Sequence, residues 1–116
     1  MKNEQGFLYF GRVRVKKLVY NVKLRLASLN IESLIGKGIE LVDTLIRRRV
    51  NIACLQETKW VGSKAKELEN SGYKIYYTGL DRRRNGVGIV LDKDLKDDVV
   101  IVSRKGDKII LVKLIL

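Results

Sequence analysis

A strand–helix–strand pattern between Lys23 and Gln56 constrains this chain most. Lys23 to Leu29 reads as a strand, with Leu24, Leu26 and Ser28 on one face of its two-residue repeat. Asn30 to Gly38 is a connection whose turn is marked by Gly36 and Gly38. Ile39 to Arg49 has the spacing of an amphipathic helix, with Ile39, Val42, Leu45 and Ile46 on the apolar stripe and Glu40, Asp43 and Arg47 off it. Its charges suit the helix dipole, because Glu40 and Asp43 come early and Arg47, Arg48 and Arg49 come last. Asn51 to Gln56 is a second strand. Its core, Ile52-Ala53-Cys54-Leu55, is apolar on both faces, as expected of an interior parallel strand, so Cys54 is expected to be a buried core thiol with no base beside it. Such a βαβ unit lays its strands parallel and brings their C-terminal ends to one edge of the sheet, where ligands usually bind. The residues at those ends are Asn30 and Glu57.

The remaining segments are shorter. Ser63 to Asn70 reads as a short polar helix and Tyr73 to Thr78 as a strand, with at least one of Tyr73, Tyr76 and Tyr77 in the core. Leu80 to Asn85 is a basic loop leading into a strand from Gly86 to Leu91. Val99 to Ser103 and Lys108 to Leu116 form an antiparallel hairpin about Lys105-Gly106-Asp107. The last strand, from Ile109, is apolar on both faces except at Lys113, the pattern of a strand covered on both sides, yet the chain stops at its end and a covering layer is expected to be missing. If one face stays open, its exposed edge favours self-association. Residues 1–22 show no clean period, although Phe7 to Phe10 and Leu18 to Tyr20 could be short strands. They are set apart as an unassigned basic segment before a domain over residues 23–116.

Composition excludes several classes. With 116 residues there is room for one domain of modest core. No apolar run approaches the ~18 residues needed to cross a bilayer. Phe7 to Phe10 is too short for a secretory leader, and one cysteine permits neither an internal disulfide nor a cysteine-based zinc cluster. An intracellular, reducing compartment follows. There is no histidine, so no imidazole base operates within this chain. There is also no proline, where average usage of about 5% predicts roughly six, as expected of an incomplete chain. The net charge is +11, and residues 1–25 carry seven basic side chains against one acidic, Glu4. Such a surplus is either a solvated basic face or an attraction to a polyanion, nucleic acid or an anionic surface.

Few residues could carry chemistry. A carboxylate at a strand end, such as Glu57, either meets solvent and caps a turn or holds magnesium, which takes few protein carboxylates and keeps several waters. Asn30 alone is an ordinary turn residue. Together, an amide and a carboxylate on adjacent strand ends can orient a phosphate and hold a metal, the two needs of phosphodiester hydrolysis. Arg82-Arg83-Arg84-Asn85 is either a solvated turn, with Asn85-Gly86 supplying positive φ, or a set of phosphate contacts. Trp60 is a packing anchor or a stacking platform. Gly86-Val87-Gly88 is no phosphate loop, because a strand follows and no Gly-Lys-Ser/Thr does.

These segments resemble the endonuclease/exonuclease/phosphatase superfamily of the retrotransposon type. The resemblance rests on Leu24 to Ile31, Gly36 to Leu45, Asn51 to Trp60 and Arg84 to Ile89, and spans about residues 23–116. It implies a four-layered α/β sandwich, of which this chain is the N-terminal part with a mixed sheet. It also implies Mg2+- or Mn2+-dependent cleavage of phosphodiesters, commonly in DNA, and with it a nuclear location. By the same resemblance Asn30 contacts the scissile phosphate, Glu57 binds the metal, and Arg82, Arg83, Arg84 and Asn85 lie near the bound strand. Leu29 stands where the family usually has tryptophan, which loosens the packing that fixes Asn30. The family's Gly-Asp-Phe/Leu-Asn and Asp-His motifs have no match, so the expectation is a fragment inactive by itself. The alternatives are a non-enzymatic nucleic-acid-binding module and a degenerate gene product.

Overall fold

The computed structural model describes the backbone of residues 2–3, 7–17 and 20–115 and the side chains of residues 24–115. The elements in chain order are β1 (Lys2–Asn3), β2 (Phe7–Lys17), β3 (Tyr20–Asn30), α1 (Gly38–Arg47), β4 (Ile52–Gln56), β5 (Ala65–Glu67), β6 (Lys74–Thr78), β7 (Val87–Leu91), β8 (Val99–Lys105) and β9 (Ile109–Leu114). The main body is a mixed sheet of five strands in the order β3-β4-β7-β6-β5, and β2 and β1 continue that order beyond β3. β8 and β9 form a separate two-stranded sheet. The chain is therefore α/β, with strands dominating. Among the described residues, no helix is long and apolar enough to cross a membrane.

The expected βαβ unit is present. β3 and β4 are parallel, in a register running from Leu26 opposite Ile52 to Asn30 opposite Gln56. β3 begins at Tyr20, three residues ahead of the strand read from the sequence, and Leu18 and Val19 lie outside the described residues. α1 ends in a Schellman turn. Arg49 takes a left-handed φ of 55°, its N–H donates to the Ile46 carbonyl, and the Val50 N–H donates to that of Leu45.

Two apolar layers enclose the sheet. On one face α1 buries Leu41, Val42 and Leu45 against Ala27, Ala53, Leu55, Ile75, Tyr77 and Val90. On the other, the β8–β9 hairpin packs Val102, Ile110, Val112 and Leu114 against Leu24, Tyr76, Leu91 and Leu95. Tyr73, Tyr76 and Tyr77 are all buried, and they divide between the two layers. At the edge away from the β3 and β4 C-termini, Asn51 ties the sheet together. Its Oδ1 accepts from the Arg25 N–H at 2.7 Å and its Nδ2 donates to Asp92 at 2.7 Å.

Three expectations need correction. The buried stripe of α1 is Leu41, Val42 and Leu45; Ile39 and Ile46 are exposed. Leu41 rather than either isoleucine joins Val42 and Leu45 in the core of that face. Cys54 is exposed. Its side chain shares a face with Ile52 and Gln56, and the hairpin lies over β6 and β7 instead. The flanking sheet still desolvates the sulfur and pushes the thiol up from its ordinary value. Ser63 to Asn70 is not a helix: Ala65–Glu67 is an edge strand paired to β6, with Ala65 opposite Tyr76. Only Leu68 of that stretch is buried, too little apolar surface to hold a helix but enough to seat a strand and its turn. The open face expected of the last strand is present: β9 is covered on one face alone, and Ile109 and Leu111 on the other are more than half exposed, at 55% and 59%.

Candidate functional site

The sheet edge at the ends of β3 and β4 is built around Thr58. This residue is fully buried, and its main chain is bonded on both sides. Its N–H donates to the Gly86 carbonyl at 3.0 Å, and its carbonyl accepts from the Leu34 N–H at 2.9 Å. Lys59 N–H donates to the Asn85 carbonyl at 2.9 Å, and Thr58 Oγ1 accepts from the Trp60 N–H at 3.3 Å. Within this frame Glu57 and Lys59 take left-handed φ angles of 62° and 59°. Such a conformation costs on the order of 1–3 kcal/mol in a residue with a Cβ and persists only where its surroundings over-determine it. The alternation turns Glu57 and Lys59 out of the strand on either side of the buried threonine.

Gly86 makes the frame possible. Its φ is +89°, and a Cβ there would stand 2.5 Å from Thr58 Oγ1 and 2.9 Å from the Lys59 nitrogen. Asn85 before it also has positive φ, at 62°, as the Asn-Gly pair predicts.

Asn30 forms an Asx turn, its Oδ1 accepting from the Glu32 N–H at 3.2 Å. The Ile31 N–H donates to the Gln56 carbonyl at 3.2 Å, which keeps the two strand ends together. The hairpin tip then closes the edge. Asn85 Nδ2 donates to Asp107 Oδ2 at 3.0 Å, the Gly86 N–H donates to the Asp107 carbonyl at 3.0 Å, and Thr78 Oγ1 donates to the Gly106 carbonyl at 2.6 Å.

A cleft of about 220 Å3 results, lined by Asn30, Gln56, Glu57, Asn85, Asp107 and Lys108. The structure thus brings together Asn30, Glu57 and Asn85. It leaves Arg82, Arg83 and Arg84 outside the lining of this cleft. All three are exposed. Arg83 holds Asp81 through Nε and a terminal nitrogen, both at 3.2 Å, and Arg84 Nε stands 4.0 Å from the same carboxylate. The Arg83 side-chain and backbone hydrogen bonds hold the Asp81 carboxyl below its ordinary value. Arg82 lines a neighbouring groove with Lys59, Trp60 and Tyr77.

Asp107 and Lys108 are site residues that the sequence pattern marks only as a hairpin-turn residue and the first residue of the last strand. The Gly106-Asp107 turn signal was visible; its docking against Asn85 depends on how the second sheet sits on the first. Two carboxylates and three amides give the cleft hard oxygen donors, the chemistry that suits Mg2+. Among the described residues no cluster of three or more histidine, cysteine, aspartate or glutamate side chains is arranged for a metal. Any cation here would depend on Glu57, Asp107, the amide oxygens and water.

No protein-family model matches the chain. It is similar to craniofacial development protein 2 of Bos taurus, at 29% identity over 86 residues. That match covers 72% of this chain and 14% of the relative, so the chain spans about a seventh of that protein's length. The relationship is distant.

Proposed function

We propose that this chain carries the first part of a metal-dependent phosphodiesterase site of the endonuclease/exonuclease/phosphatase type, directed at DNA. The observation that carries the proposal is the convergence of Asn30 and Glu57, with Asn85 and Asp107, on one cleft at the C-terminal edge of a parallel strand pair. The distant similarity to craniofacial development protein 2 supports it. Glu57 and Asp107 would hold Mg2+ or Mn2+, with water completing the shell. When bound, the ion supplies charge neutralisation and Lewis acidity at the phosphate. Asn30 Nδ2, left to donate by the Asx turn at Oδ1, orients a phosphate oxygen. Asn85 fixes Asp107, and Lys108 adds positive charge at the rim. The exposed outer face of β9 is where a fourth layer of the sandwich would pack, or where a second copy would associate. A nuclear location goes with this reading through the resemblance alone.

No histidine is available in this chain to complete an acid–base pair, so binding without cleavage is its expected behaviour alone. Without the ion the two carboxylates repel phosphate; with it they attract. At fixed ionic strength, the ratio of wild-type to Glu57→Gln affinity for a short duplex should therefore rise several-fold on adding Mg2+, while supercoiled plasmid stays un-nicked. A ratio unmoved by Mg2+ contradicts the metal role, and nicking that disappears in Glu57→Ala contradicts the inactivity.

A second function rests on the exposure of Arg82, Arg83 and Arg84 beside a chain of net charge +11. On that basis the protein is a non-enzymatic nucleic-acid binder. Its affinity would fall steeply with salt and be insensitive to Glu57.

A further inference from the structure

Beside the carboxylate-lined cleft runs a second groove of about 330 Å3, lined by Lys59, Trp60, Lys66, Tyr77 and Arg82 with Ile35 and Val61. None of these seven residues is acidic. Trp60 is half-buried, its ring held edge-to-face by Tyr77 with centroids 5.1 Å apart. Its backbone is fixed on both sides. Gly62 and Gly79 exchange N–H to carbonyl bonds at 2.9 Å, and a Cβ at Gly79 would collide with the Trp60 carbonyl. The indole is thus a rigid platform. Over it lies Lys66, its Nζ 4.8 Å from the ring centroid. Lys66 is exposed, on an edge strand, so its flexible side chain can leave the ring. Ile35 and Val61 of the lining stay half exposed, 51% each, and form an apolar rim.

We infer that this groove binds an unpaired nucleotide of a nucleic-acid strand, its base stacked on Trp60 and its flanking phosphates held by Lys59, Lys66 and Arg82. A planar aromatic ring carrying anionic groups satisfies every part of the lining: the indole, the apolar rim and three cations without a carboxylate. Lys66 moves from the ring to a phosphate as the base enters. Asp81 is engaged by Arg83 and Arg84, while Arg82 turns to the groove.

The chain itself joins the two clefts. Glu57 and Lys59 flank Thr58, one lining each cleft, and Arg82 and Asn85 belong to one loop and do the same. A strand with a phosphate at Asn30 and Glu57 therefore has its neighbouring nucleotide at Trp60. The inference rests on the proposed phosphodiester site for that path alone.

Trp60 is the sole tryptophan, so its fluorescence reports the groove directly in the unaltered protein. Without metal, a single-stranded oligothymidylate should quench it saturably, in step with binding followed by anisotropy. An abasic oligomer of equal length should bind more weakly, by roughly fivefold or more, and quench little. Thymidine monophosphate should quench only at far higher concentration, because it offers one phosphate to three cations. Arg82→Ala, an exposed change, should lower the slope of log affinity against log salt by about 0.7. Equal quenching by the abasic oligomer, equal binding of a poly-glutamate peptide, or strand binding with no change in Trp60 emission would overturn the inference. Metal is absent from these titrations, so they can succeed where the Glu57 test fails, and the reverse.

Discussion

Asn85 and Asp107 meet side chain to side chain at 3.0 Å, across 22 residues of sequence, and lock the tip of the second sheet onto the edge of the first. The bond is partly buried and involves a carboxylate, so it contributes about 1.5–3 kcal/mol. Asn85→Ala and Asp107→Ala are each expected to destabilise by an amount in that range. The double variant should lose less than the sum, with a coupling of about 1.5–3 kcal/mol. Urea unfolding of the four proteins gives the cycle, and strict additivity would show that the pair does not interact in solution.

Gly86 is predicted to tolerate no side chain. Alanine there must take a φ of +89° and press on Thr58 Oγ1 and the Lys59 nitrogen. The strain and the displaced Glu57–Lys59 segment together should cost about 2 kcal/mol or more. Thermal unfolding of Gly86→Ala checks this, and an unchanged midpoint would mean that the Thr58 frame is looser than described.

Asn51 is expected to be a stability residue without any part in binding. Its replacement by alanine removes the hydrogen bonds to the Arg25 N–H and to one Asp92 oxygen, costing about 1–3 kcal/mol. Circular dichroism melts should show the loss, and DNA affinity below the melt should match the wild type.

The turn at Asp81 carries a pH prediction. Its carboxyl is held below the ordinary 3.8 of aspartate, first by the Arg83 side-chain bond and then by the Arg83 backbone. A depressed folded value means that the stabilisation is present above the unfolded value and is lost as pH falls through the folded one. The loop of Arg82, Arg83 and Arg84 should therefore keep its form through mild acid and loosen only below pH 3.8. Carbon-13 NMR of the Asp81 carboxyl follows the titration, and a midpoint at or above the ordinary value contradicts the pairing.

How far the sequence speaks can be judged from single residues. The period of β3, α1 and β4 was legible, and with it the adjacency of Asn30 and Glu57, because a parallel crossover leaves one edge for both strand ends. The rotation of α1 was not. Ile39 and Leu41 compete for one stripe, and the sheet beneath decides between them. Cys54 was misplaced for a related reason: an apolar strand looks buried on both faces until the second layer's position is known. Asp107 joined the site through that same layer, which sequence periodicity cannot dock. Lys59 and Trp60 lie in the stretch that carries the resemblance, yet Lys59 takes a left-handed φ against Gly86, more than twenty residues on, a packing that sequence periodicity does not show.

The central claim is that Glu57 and Asp107 hold a divalent cation beside Asn30. Mn2+ added at substoichiometric amounts to isotopically labelled protein broadens the amide signals nearest to it. The signals of Asn30, Glu57, Asn85 and Asp107 should vanish first, and Glu57→Gln should restore most of them. Broadening centred instead on Asp81 or Asp92, or spread evenly over the acidic surface, would contradict the account.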